Sequence, residues 1–178
     1  MPARTRSARL LVVVTGPIAA GKSTVARELA DRLLAAGSTV AVVDVDEVAA
    51  MVHGGLSDWD LAHQVHGRLV AAWLDRVDTV IADGPIYSRQ ETNHLIGDVS
   101  GDVRLVRVML RATYPTALRR VTGDPDRGLS KDPAFLRRAY ERFEALRPDM
   151  DACDLEFDAE QVFAEKIADE IAAHVACR

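Results

Sequence analysis

The stretch Gly16-Pro17-Ile18-Ala19-Ala20-Gly21-Lys22-Ser23, followed by Thr24, decides the fold. It fits the pattern of Gly, any four residues, then Gly-Lys-Ser/Thr, in which backbone N–H groups cradle phosphate. The apolar run Leu10–Val14 precedes it, and an amphipathic segment, Ser23 to Ala36, closed by Gly37, follows. A strand, a glycine loop and a helix in that order let the N–H groups and the positive helix end converge on a triphosphate. Glycines 16 and 21 let the chain turn tightly with no Cβ toward the phosphate. Lys22 is placed to reach the β and γ phosphates, and the Ser23 hydroxyl to ligate Mg²⁺.

Outward from this loop, strand-like and helical runs alternate, the pattern of βαβ units around a parallel sheet. The runs Leu10–Val14, Thr39–Val43, Thr79–Ala82, Val103–Leu110 and Asp154–Phe157 are five expected strands, rich in Val, Ile and Leu. Ser57 with Asp60 reads as the cap of a helix whose apolar face holds Ala62, Val65, Leu69 and Trp73. Asp132-Pro133 opens another, with Leu136, Tyr140 and Phe143 at helical spacing. A last helix after Asp158 is expected to stripe Phe163, Ile167, Ile171 and Val175.

Composition agrees with one domain over residues 1–178, with 1–9 as a flexible tail. The hydrophobic share of 48% and charged share of 28% exclude a disordered or low-complexity chain. A net charge of −5 gives no reason to expect duplex nucleic acid or an anionic membrane as partner. No apolar run reaches the roughly 18 residues of a membrane helix. Cys153 and Cys177 carry no metal or redox spacing, which fits free thiols in a reducing cytoplasm.

Three further stretches carry candidate chemistry. Val43-Asp44-Val45-Asp46-Glu47 ends the second strand; in an extended segment Asp44 and Asp46 share a side at the sheet's carboxyl edge, where ligands bind. The alternative is that they cap a short helix starting near Glu47. Thr79-Val80-Ile81-Ala82-Asp83-Gly84-Pro85 ends a strand in an acid and a glycine, with Gly84 leaving room for a substrate to approach. Leu118 to Lys131 holds Arg119, Arg120 and Arg127 around a Gly/Pro-rich segment. His63 and His66, at i and i+3, lack a third ligand and read as exposed helical histidines rather than a metal site.

These motifs, in this order, resemble the small P-loop kinases of the shikimate kinase, adenylylsulfate kinase and nucleoside monophosphate kinase type. The resemblance spans nearly the whole chain and implies an α/β three-layer fold with a five-stranded parallel sheet flanked by helices and a short lid. It implies ATP with Mg²⁺, and transfer of the γ-phosphoryl group to a hydroxyl or phosphate of a small acceptor. By family position, Gly16, Pro17, Ala19, Ala20, Gly21, Lys22, Ser23 and Thr24 bind the nucleotide, with Arg119 or Arg120 against adenine near Asp158 and Ala159. Ser23, Asp83 as the Walker B acid, and Asp44 bear on Mg²⁺; Asp46 is the implied base, and Arg127 in a lid over 123–131 meets the transferring phosphate. The acceptor region is 47–77. Asp44, Asp46, Gly84, Tyr87 and Arg89 are acceptor contacts, with Trp59 either core or pocket floor. Arg142 and Arg147 either close over the acceptor or pair with Glu141 and Glu144. Shikimate kinases carry a glycine triplet where this chain has only Gly84, a departure that argues against shikimate as acceptor.

Two other classes fit the loop: a nucleotide-driven ATPase or switch, and a polynucleotide 5′-hydroxyl kinase. Asn93 is the only asparagine, so the guanine-reading Asn-Lys-x-Asp of regulatory GTPases is absent. The acidic charge weighs against a polynucleotide. The reading is therefore a cytoplasmic small-molecule kinase, monomer or homodimer.

Overall fold

Seven helices and five strands alternate along the computed structural model, which describes residues 9–125 and 128–177. The strands are β1 (Arg9–Thr15), β2 (Val40–Asp44), β3 (Thr79–Asp83), β4 (Val103–Arg111) and β5 (Leu155–Asp158). All pair in parallel, in the order β2-β3-β1-β4-β5. The helices are α1 (Lys22–Ala35), α2 (Val45–Ala50), α3 (Trp59–Leu74), α4 (Arg89–Ile96), α5 (Tyr114–Gly123), α6 (Pro133–Leu146) and α7 (Ala164–Ala176).

Strand alternation splits the core into two layers. Leu10, Val12 and Val14 of β1 face α1 and α7, packing with Leu29 and Ile171, whereas Leu11 and Val13 pack with Val70 and Leu74 of α3 and Leu95 of α4. β1 is buried on both faces because it lies at the sheet's centre. After β1 the chain crosses to the β2 side, and after β3 it crosses to the β4 side. The crevice outside the carboxyl ends of β1 and β3 is thus the switch point where α/β sheets bind ligands. A third cluster, Ala117 and Val121 of α5 with Leu136 and Tyr140 of α6, buries Ala19 of the phosphate loop.

Five sequence expectations shift. Arg9, assigned to the tail, opens β1 and pairs with Asp75 at 2.8 Å; residues 1–8 lie outside the described residues. The cap of α3 is Asp58 rather than Ser57, its carboxylate accepting from the N–H groups of Asp60 and Leu61. The buried seam of α3 runs Ala62, His66, Val70, Leu74, with His63 and Gly67 beside it, and Trp73 is exposed. Both histidines are buried: His63 lies beside Glu91 of α4, which crosses closely where a Cβ on Gly67 would lie 1.9 Å from the His94 carbonyl oxygen, and His66 lies against the Val43 carbonyl of β2. Phe163 precedes α7 as its N-cap and is 84% exposed, so the core stripe of that helix is Ile167 and Ile171.

Candidate active site

Three strand ends meet at the crevice. Val14 lies opposite Asp83, and Asp83 opposite Asp44, so β1 delivers the phosphate loop directly beside two carboxylates. The two loop glycines answer different needs. A Cβ on Gly16 would sit 2.3 Å from the Leu110 carbonyl oxygen of β4, so it is the chain's own backbone that excludes a side chain. Gly21 has open space around it but a φ of +93°, which L residues rarely adopt. Ala19 also lies in the left-handed region, at φ +59°, the one non-glycine residue to do so among those described. Such a conformation costs on the order of 1 kcal/mol and clusters at functional sites.

Lys22 is only 9% exposed and folds back, its Nζ donating to the Pro17 carbonyl at 3.2 Å. The Ser23 hydroxyl donates to Asp44 Oδ2 at 3.2 Å. Asp44 is not extended into Asp46 as expected. α2 begins at Val45, and Asp44 is its N-cap, with Oδ1 accepting from the Asp46 N–H at 2.7 Å. The helix starts earlier than the sequence suggested because the cap itself ends the strand, and the turn places Asp46 on the exposed first turn of α2.

Asp83 is 2% exposed, and neither carboxylate oxygen has a hydrogen-bond partner among the described residues. Burial pushes its pKa up to about 7; Lys22 opposes that rise and Asp44 adds to it. An orphaned buried carboxylate next to a hydroxyl and a second carboxylate is a donor set that fits a hard divalent cation. No group of three or more His, Cys, Asp or Glu suited to a metal occurs among the described residues, and Mg²⁺ sites of this kind need only one or two carboxylates plus phosphate oxygens.

Beyond β3 the structure reassigns several residues. A Cβ on Gly84 would meet Val45 Cγ1 at 2.5 Å, so that glycine makes room for α2 rather than for a substrate. Tyr87 is buried, donates its hydroxyl to the Gly16 carbonyl at 2.7 Å and stacks edge-on against Phe143. It braces the loop and is not an open acceptor contact. Glu91 closes the capping box of α4, with Oε2 accepting from the Tyr87 and Ser88 N–H groups at 2.7 and 2.8 Å. Arg142 pairs with Glu91, not with Glu141 or Glu144, while Arg147 lies 3.8 Å from Glu144. Trp59 is 43% exposed at the start of α3 and so is not core, and Arg89 is exposed at the start of α4. His66 Nε2 sits 2.9 Å from the Val43 carbonyl, which can only accept, so this nitrogen carries the proton; burial lowers the pKa of both His63 and His66.

On the other side of the loop lies a cavity of about 360 Å³, lined in part by Gly21, Thr24, Arg120, Ala159, Gln161 and Phe163. Arg120 donates to the carbonyls of Ala19 and Ala159, whereas Arg119 points back to Thr116 of its own helix. Of the two arginines the sequence left open, the structure brings Arg120 to the cavity. Arg127 lies outside the described residues; around it, Gly123 ends α5 and Leu129–Lys131 form a single 3-10 turn. Sequence reasoning missed Phe163 as a lining residue because its i, i+4 spacing to Ile167 mimics a core position.

Fold and site together define a P-loop protein with the architecture of small kinases. A family profile described as an AAA domain, AAA_33, matches residues 11–123, more than half of the chain, and the chain belongs to that family. Comparison with curated proteins finds no match. Among solved structures, APS kinase CysC of Mycobacterium tuberculosis, in complex with AMPPNP and APS, superposes with a TM-score of 0.68 at 15% identity, covering 95% of this chain and 98% of that one. Shikimate kinase from Bacteroides thetaiotaomicron gives 0.66 at 15%, covering 94% and 98%. A gluconokinase from Sinorhizobium meliloti gives 0.64 at 18%, covering 97% and 98%. At such identities the likeness is one of fold. No helix among the described residues is long and apolar enough to cross a membrane.

Proposed function

We propose that this chain is an ATP- and Mg²⁺-dependent kinase that phosphorylates a hydroxyl of a small acceptor, acting as one domain in the cytoplasm. The observation that carries this is the orphaned Asp83 carboxylate beside Ser23 and Asp44, directly under the loop that Lys22 closes. Loop N–H groups and Lys22 bind the triphosphate; Ser23, Asp83 and Asp44 would hold Mg²⁺, which supplies charge neutralisation for the phosphates. Asp46 at the exposed start of α2 takes the acceptor's proton as oxygen bonds to the γ-phosphorus and ADP leaves. Arg127, in the 123–131 lid, stabilises the transferring charge. The 360 Å³ cavity, with Phe163 and Arg120, receives the base.

The acceptor is read as carrying no negative charge. Residues 33–67, which include the first half of the acceptor region, hold Asp44, Asp46, Glu47, Asp58 and Asp60 but no Lys or Arg. Arg142 is already paired with the buried Glu91. An anionic acceptor entering over that segment would meet like charge, so a hydroxyl is favoured over a phosphate.

Calorimetric titration of Mg-ATP into wild type, Lys22→Ala and Asp46→Asn tests the reading. Lys22→Ala should lose at least tenfold in affinity with its fold intact, while Asp46→Asn should bind normally. Equal binding by Lys22→Ala would overturn the phosphate-loop assignment, and phosphoryl transfer at the wild-type rate by Asp46→Asn would move the base elsewhere.

A further inference from the structure

Four consecutive carbonyls of the phosphate loop are each held by a side chain. Tyr87 binds that of Gly16, Lys22 that of Pro17, Tyr140 that of Ile18 at 3.1 Å, and Arg120 that of Ala19 at 2.9 Å. The middle of this series has a specific consequence. Ala19 is the left-handed residue, and its two flanking peptide planes are the two whose carbonyls bind Tyr140 and Arg120. In a trans peptide the C=O and the following N–H point in opposite directions. Capturing the Ile18 carbonyl toward α6 therefore turns the Ala19 N–H away from α6. A left-handed residue within a turn is also how backbone N–H groups are made to converge on an anion.

We propose that Tyr140 and Arg120 are positioning residues that hold Ala19 in its left-handed conformation, preparing the loop for phosphate and tying it to α5 and α6. The inference rests on the phosphate-binding reading above. Arg120 lies on α5, whose last residue is Gly123, and Tyr140 on α6, which starts at Pro133. A displacement of α5 against α6 is thereby felt at Ala19, whose side chain packs in the same cluster as theirs. Tyr140 is buried, and its ring is set edge-on to Tyr114 at 5.7 Å, so the hydroxyl is delivered by a fixed ring. Burial raises the hydroxyl's pKa, keeping it a donor throughout the working pH range.

The test is a cycle with Ala19→Gly, because glycine adopts a positive φ without needing the two bonds. Inorganic tripolyphosphate and Mg-ATP are titrated into wild type, Tyr140→Phe, Ala19→Gly and the double variant. Tyr140→Phe keeps the ring and should weaken both ligands about fivefold, the worth of one net hydrogen bond. In the Ala19→Gly background the same change should cost less than twofold, a rescue that a merely structural role for Tyr140 would not show. Wild-type affinity in Tyr140→Phe, or an equal loss in both backgrounds, would overturn the proposal. Arg120→Gln, run in the same cycle, reports on the second carbonyl if Tyr140→Phe does not fold. Lys22→Ala separates the two levels: if it binds tripolyphosphate as wild type does, the phosphate-loop reading itself fails.

Discussion

Replacing Asp83 by Asn should abolish a pH dependence that the native protein owes to one buried carboxyl. In the folded chain this group titrates at about 7, against an ordinary 3.8, because burial disfavours its charge. A carboxyl whose folded pKa is raised contributes stability that is present at low pH and is lost as pH rises through the folded value. Between pH 5.5 and 8.5 the folded state must give up nearly one proton that the unfolded chain has already released, which costs about 2 kcal/mol. Asn is similar in shape and has nothing to titrate. Urea denaturation at several pH values should therefore show the wild-type curve falling relative to Asp83→Asn by about 2 kcal/mol over that interval. Saturating Mg-ATP should flatten the wild-type dependence, since a bound cation stabilises the ionised carboxylate, and should leave Asp83→Asn little changed. A difference between the two proteins that stays constant within about 0.5 kcal/mol from pH 5.5 to 8.5 would refute the reasoning, because the carboxyl would then titrate alike in both states.

Gly16→Ala should destabilise the protein by about 3 kcal/mol and impair ATP binding, because the new Cβ meets the Leu110 carbonyl oxygen at 2.3 Å and the backbone must yield; a melting temperature within 2 °C of wild type would contradict the packing. Phe163→Ala should weaken ATP about tenfold through lost base stacking while leaving thermal stability unchanged, as the side chain is exposed; equal ATP affinity would remove Phe163 from the base site. His63 and His66, with pKa values lowered by burial, stabilise the fold above their ordinary 6.5 and lose that contribution as pH falls below it. In an Asp83→Asn background, stability should drop from pH 6.5 to 5.5 by up to about 1 kcal/mol per histidine, and a flat profile would mean that the rings are not held neutral.

The sheet was legible because its evidence is local. β1 and β3 are apolar on both faces, so their burial needs no knowledge of partners, and the loop after β1 has a spacing that only a strand-to-helix turn satisfies. Placing Asp83 and Asp44 at strand ends was enough to bring them together, because parallel register does the rest. What the sequence could not show depended on contacts between distant segments. The burial of His63 follows from α3 meeting α4 at Gly67, that of His66 from its packing on the Val43 carbonyl of β2, and the pairing of Arg142 from Glu91, 51 residues away. Tyr87 looks like a substrate contact by its position after β3, yet its hydroxyl is bound to Gly16 across 71 residues. Phe163 shows the opposite failure: helical spacing predicts core, but it falls on the N-cap, before the helix has turned its face inward.

The central claim, that this fold moves a phosphoryl group from ATP to a small hydroxyl acceptor, is tested most directly by a mass-gain screen. Purified protein, ATP and Mg²⁺ are incubated with pooled uncharged and amine-bearing alcohols, nucleosides, antibiotics, hydroxy acids, sugar phosphates and short oligonucleotides, with Asp46→Asn in parallel. The expected result is a phosphorylated product from an acceptor without negative charge, formed by wild type and absent with Asp46→Asn. ATP hydrolysis with no phosphorylated product across the panel would contradict it and point to a nucleotide-driven switch.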